Sequence, residues 1–136
     1  MDLFPWEEFT LPYFLVGLFG IFGAMARYGI GILFSPISIF PYGTLCINWF
    51  GCFLLSWLTK SAFQRLTWAS EVKTAIGTGF VGSFTTFSTF SVETVKLVRD
   101  GNPLLGLLYI LASLTGGFFM AYLGAHAKKE ENHEPY

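Results

Sequence analysis

The feature that most restricts the fold of this chain is where charge is missing. Residues 9–26, 28–59, 74–92 and 101–127 contain no Asp, Glu, Lys or Arg. A helix needs roughly 20 mostly apolar residues to cross a bilayer core of about 30 Å. Four crossings fit, at about 12–33, 43–63, 72–97 and 104–126, followed by a polar tail over 127–136. Only 12% of the residues are charged and 53% are hydrophobic, where an ordinary soluble domain has about 25% charged. The expectation is an all-α, polytopic membrane protein, one domain over its 136 residues.

Turn signals separate the crossings. Pro41-Tyr42-Gly43 parts the first from the second, and the polar stretch 63–73 parts the second from the third. Asp100-Gly101-Asn102-Pro103 is a strong stop-and-turn signal, with Pro103 well suited to a helix start. Ser70, followed by Glu71, is the expected cap of the third helix. Four crossings put both termini and the second connection on one side, with Lys60, Arg65, Lys73, Lys128 and Lys129. The other side holds Lys96 and Arg99, plus Arg27 if it lies near that end. Five against two or three is a weak positive-inside bias. It suits insertion in both orientations and pairing with an inverted copy, and a single ordinary orientation fits the count as well.

Other classes are disfavoured. The first apolar stretch lacks a basic lead-in and exceeds a signal-peptide core, so it reads as a retained crossing. Cys46 and Cys52 fall on different sides of one helix and read as small buried hydrophobes. A net charge of −1 gives no hint of nucleic acid. His126 and His133 read as incidental. Gly17, Gly20, Gly23 and Ala24, and Gly116 and Gly117, suit close helix packing in lipid. Four helices enclose little, so an oligomer is expected if anything polar crosses.

The densest polar spot within an uncharged run is GFVGSFTTFSTFS, Gly79 to Ser91, with six hydroxyls among four phenyl rings. Gly77, Gly79 and Gly82 match a G-x-G-x-x-G fingerprint, but that motif needs a strand before it and a βαβ unit around it. These glycines, followed by Thr85 and Thr86, make a poor helix at membrane depth, so the third segment is expected to break there. Freed carbonyls at a break suit a cation and freed N–H groups an anion; a break for packing alone is the alternative. Helical spacing puts Phe87 and Phe90 on one face with Ser83 and Thr94. It groups Ser88 and Ser91 with Phe84, and Thr85 and Thr89 with Glu93. Such hydroxyls often return to the backbone of the preceding turn. Phenyl edges are the positive part of the ring quadrupole, so two edges with hydroxyl donors make a neutral, anion-tolerant surface.

Matching donors lie on other segments. Asn48 is the only amide in the second crossing, where leaving it unpaired costs about 1–3 kcal/mol. Tyr109 and Ser113 stack on one face of the fourth. Each of these also suits simple interhelical bonding. Arg27 either snorkels to an interface or serves an anion. No carboxylate sits deep in a crossing except Glu93, toward an end, which argues against proton-coupled antiport and carboxylate-lined cation paths. No catalytic constellation is present, so the chain reads as a non-enzyme.

These motifs resemble the Fluc (CrcB) fluoride channels over nearly the whole chain. The resemblance rests on Gly20-Ile-Phe-Gly23-Ala24-Met-Ala-Arg27-Tyr28, on Gly43-Thr44-Leu45-Cys-Ile-Asn48 with Gly51, and most specifically on residues 79–91 with Glu93-Thr94. It implies a dual-topology antiparallel homodimer in the cell membrane (the inner one where there are two), releasing fluoride passively through two pores. It implies pore roles for Asn48, Phe87, Phe90, Ser88, Thr89, Tyr109 and Ser113, and vestibule positions for Arg27 and Glu93. A central structural Na⁺ would be held by the backbone carbonyls of Gly82 and Thr85, with no organic cofactor. The partners implied are fluoride, lipid and a second copy. Family members commonly carry a further hydroxyl four residues beyond Ser113, where this chain has Gly117, which implies a shorter polar track. Three alternatives stand beside this reading. A subunit of a heterodimeric fluoride channel suits the slight basic bias. A non-transporting helical scaffold explains the glycines and aromatics but leaves the donors without purpose. A small multidrug exporter would need a carboxylate within its first crossing, and there is none.

Overall fold

The computed structural model describes residues 6–34 and 39–127, with side chains from residue 11 onward. The expected tail from residue 128, with Lys128, Lys129 and His133, lies outside the described residues. Every regular element among those described is helical. Helix α1 is Trp6–Phe34. Helix α2 covers 42–65: Tyr42–Trp57, a π-helical turn Leu58–Ala62, and Phe63–Arg65. Helix α3 covers 70–84: Ser70–Thr74, a π-helical stretch Ala75–Val81, and Gly82–Phe84. Helix α4 is Phe87–Arg99 and α5 is Pro103–His126.

Among the described residues two helical stretches, Leu11–Phe34 and Pro103–His126, are long and apolar enough to cross a membrane. The molecule is inverted relative to a water-soluble domain. Tyr109 is fully buried, with Leu45 and Leu97, while Phe14, Ile21, Phe22, Met25, Leu114 and Phe118 are exposed. An outer surface so rich in large apolar side chains far exceeds the patches a soluble monomer tolerates.

Helix α1 lies along α3, α2 along α5, and α4 against α5. The small residues make these approaches possible. A Cβ at Gly23 would overlap the Phe80 backbone carbonyl, and one at Gly116 the Trp49 indole. The Trp49 indole N–H donates to the Ala112 carbonyl at 3.1 Å, so α2 and α5 are both packed and hydrogen-bonded.

Two local expectations are corrected. Ser70 does not cap α3: it is the first helical residue, Ala69 holds the cap position, and no side chain bonds there. Instead the Ser70 carbonyl accepts from the Thr74 hydroxyl at 2.9 Å. The glycines do not interrupt the helix either. Gly77 and Gly79 lie in the π-helical stretch, and Gly82 keeps right-handed helical dihedrals. The backbone leaves helical space at Thr85 (ψ 160°) and Thr86 (φ −149°, ψ 123°). Glycine lowers helix propensity without forbidding the helix, and here α1 packs tightly on the glycine stretch. Ser83 and Phe84 therefore precede the break and Thr85 lies in it, so helical spacing does not align them with Phe87, Ser88 or Thr89.

Candidate functional site

Where α3 gives way to α4, the chain leaves backbone groups without helical partners, and side chains from α1 and α2 meet them. The Thr86 N–H donates to Asn48 Oδ1 at 2.8 Å, and Asn48 Nδ2 donates to the Thr86 carbonyl at 3.0 Å. The amide that the sequence left in search of a partner thus has one at each end. Thr86 also caps α4: its Oγ1 accepts from the Thr89 N–H at 3.1 Å and donates to Thr89 Oγ1 at 3.0 Å, with Ser88 Oγ at 3.3 Å. A Thr at this position satisfies one of the four orphan N–H groups of a helix start.

On α4 the two phenyl rings differ. Phe87 is 79% exposed, while Phe90 is half-buried against Tyr109, with ring centres 5.1 Å apart. The two rings touch at 5.7 Å, inclined by 41°. Ser91 and Thr94 return their hydroxyls to the carbonyls of Phe87 and Phe90 at 2.9 and 2.8 Å. Thr85 does the same to Val81 at 3.1 Å. These three follow ordinary back-bonding; Thr86, Ser88 and Thr89 form the polar cluster.

Further along α4, the Glu93 carboxyl is held from two sides. The Thr44 hydroxyl donates to Oε1 at 2.9 Å and the Tyr109 hydroxyl to Oε2 at 2.8 Å. Tyr109 is therefore committed to Glu93. Ser113 Oγ, one turn along α5, is buried with no hydrogen-bond partner among the described residues. Gly117 is buried too, and a Cβ there would make an ordinary contact with Cys52 Sγ at 3.5 Å. Room for one more small side chain exists at the position where the resemblance leads one to expect a hydroxyl.

Arg27 is hydrogen-bonded to another helix. Its Nε donates to the Ser83 carbonyl at 3.1 Å, tying α1 to the last turn of α3. Arg27 also lines a cavity of about 630 Å³, together with Thr44, Thr86, Thr89, Glu93 and Lys96. The cavity brings together Arg27, Thr89 and Glu93 from the sequence-derived set; Phe87, Phe90, Asn48 and Ser113 lie outside its wall.

For a cation, the end of α3 offers oxygen. The helix stops at Phe84, so its last carbonyls lack helical partners. Ser83 is satisfied by Arg27, whereas the Gly82 carbonyl meets the Thr85 hydroxyl at 3.5 Å, the limit of a hydrogen bond. Gly82 is exposed, and a Cβ there would meet nothing within 4 Å. Such carbonyls fit a hard, oxygen-seeking ion such as Na⁺. Among the described residues no group of three His, Cys, Asp or Glu side chains stands close enough to hold a metal.

Two participants escaped the sequence reading, Thr44 and Thr86. The signal for Thr44 was present: it lies one turn before Asn48 on an uncharged helix, the spacing that singled out Tyr109 and Ser113. Thr44→Val keeps the shape and removes a donor to a carboxyl. The variant is expected to lose about 1–2 kcal/mol of stability, and Tyr109→Phe a similar amount. Both act on one carboxyl, so the double variant is expected to depart from additivity. Denaturant midpoints in detergent for the three variants check this; strict additivity would separate the two contacts.

The family model described as CrcB-like protein, Camphor Resistance (CrcB), matches residues 14–125. The chain is 54% identical over 110 residues to the fluoride-specific ion channel FluC 1 of Desulfitobacterium hafniense, covering 81% of this chain and 96% of that protein. It is 47% identical over 126 residues to FluC 2 of Geobacillus kaustophilus, covering 91% and 98%. To the FluC channel of Oceanobacillus iheyensis it is 43% identical over 122 residues, covering 87% and 95%. Identity at this level over nearly whole chains, on an all-helical fold with the break and its polar cluster as described, places this chain in the CrcB (Fluc) family.

Proposed function

We propose that the protein is a fluoride-selective channel of the cell membrane, spanning it four times and releasing fluoride passively from the cytoplasm. The observation that carries this reading is the likeness to proteins named fluoride-specific ion channels, which extends over 81% to 91% of this chain. The active assembly on this reading is an antiparallel homodimer with two pores. The apolar flank of α1, with Phe14, Ile21, Phe22 and Met25 exposed, supplies surface for a second copy.

The chemistry of the ion supports the assignment. Fluoride is small and strongly hydrated, so a pore must replace water with hydrogen-bond donors while leaving exit as easy as entry. Hydroxyls and ring edges do so without a fixed cation in the narrow part to trap the ion. Arg27 lines the cavity, where its charge would attract anions. Ser88, Thr89 and the rings of Phe87 and Phe90 follow on α4, and Ser113 offers an uncommitted buried hydroxyl on α5. The carbonyls of Gly82 and Thr85 would hold a Na⁺ at the dimer centre, where its charge would neutralise helix ends meeting from two copies.

Purified protein in liposomes is expected to release fluoride rapidly, with little release of chloride as the control ion. That result would also establish one chain type as sufficient. No fluoride release from well-folded protein would overturn the homodimeric channel, leaving a missing partner chain or a scaffold.

A further inference from the structure

Asn48 is not among the described residues that line the cavity. Its amide oxygen and one amide N–H are spent on the two backbone groups of Thr86, at 2.8 and 3.0 Å. We propose that Asn48 is a positioning residue, a side-chain clip from α2 that holds the extended backbone at Thr86 and thereby aims the first turn of α4. Only the effect on ion flux rests on the channel reading; the clip itself does not.

A break at membrane depth must find partners for the groups it frees. Thr86 frees one donor and one acceptor, and a carboxamide presents one of each at matching reach. Asp would face the Thr86 carbonyl with oxygen instead of a donor, and Ser is too short to serve both sides. Thr86 is also the cap of α4, so fixing its backbone fixes where that helix begins and where the adjacent Phe87 ring stands. One turn earlier on α2, Thr44 grips Glu93 two turns along α4. Two anchor points on one helix oppose both sliding and rotation of the other.

The test separates a clip from a direct donor to the ion. Asn48→Ser keeps a hydroxyl donor but cannot bridge. Replacing Thr86 by its α-hydroxy acid analogue removes the backbone N–H and leaves Asn48 and every other side chain intact. Hydrogen exchange is read over residues 84–90, and fluoride efflux is read from liposomes.

Both variants are expected to speed exchange over 84–90 about tenfold, with α1 and α5 unchanged, since the break loses its partners locally. Both are expected to lower fluoride efflux by about tenfold or more, as a misaimed first turn would. Wild-type exchange in both variants would overturn the clip. Loss of flux in Asn48→Ser alone, with the ester variant conducting normally, would also overturn it and make Asn48 a donor to the ion. Should Asn48→Ser fail to fold, the ester variant decides alone. Should the wild-type protein release no fluoride, the channel reading falls and exchange still decides the clip.

Discussion

Phe87→Ile is expected to reduce fluoride efflux roughly tenfold to a hundredfold, while the protein folds and assembles as before. An ion that has shed water and loses one compensating contact is destabilised by about 1–3 kcal/mol, and each 1.36 kcal/mol is about tenfold in rate. The variant is informative because Phe87 has little structural work within the chain: it is 79% exposed, and its ring contact is with Phe90. A loss of flux there reports on the ion path. Phe90→Ile should lower flux as well, yet it also removes a ring packed on buried Tyr109. That variant should lose about 1 kcal/mol or more of stability in addition. Efflux from liposomes, with chemical cross-linking to count assembled copies, measures both. Unchanged flux in the two variants would remove the phenyl edges from the mechanism.

The largest effect on folding is expected at Gly23. A Cβ there would overlap the carbonyl of Phe80, a backbone atom that no rotamer change moves aside. Gly23→Ala should therefore separate α1 from the π-helical stretch of α3, costing about 1–3 kcal/mol or more. Gly29→Ala, on the same helix, meets nothing within 4 Å and is expected to be neutral or to gain a few tenths from helix propensity, up to about 1 kcal/mol. Thermal stability in detergent compares the pair. Equal stability of the two variants would show that α1 and α3 do not approach as closely as this packing requires.

On sequence alone a discontinuity is expected from Gly77, Gly79 and Gly82 followed by Thr85 and Thr86. Glycine spacing was weighed as the helix breaker, yet the backbone departs from helical space at two threonines. Propensity is a weak local preference that tertiary packing overrides. At Thr85 a different neighbour intervenes: its methyl fills the space where Gly51 lacks a Cβ. Tyr109 and Ser113 were grouped by spacing as one polar face, but their hydroxyls differ in state. One donates to Glu93 and the other is buried with no partner among the described residues. A one-turn spacing reports a shared face and is silent on what faces it.

The amino-acid sequence by itself determined the helical class, the apolar stretches and the family. Charge and hydropathy belong to each residue and add along the chain, and a motif is read without folding anything. The resemblance it carries also proposed a site of Asn48, Phe87, Ser88, Thr89, Phe90, Tyr109 and Ser113, with Arg27 and Glu93 beside it and Gly82 and Thr85 for a cation. The tertiary structure alone decided who holds whom. Asn48 meets Thr86 across 38 residues, Arg27 meets Ser83 across 56, and Glu93 is gripped by Thr44 across 49. Hydrogen bonds at such separations depend on the register of one packed helix against another, which the overlap of side chains along the whole contact sets.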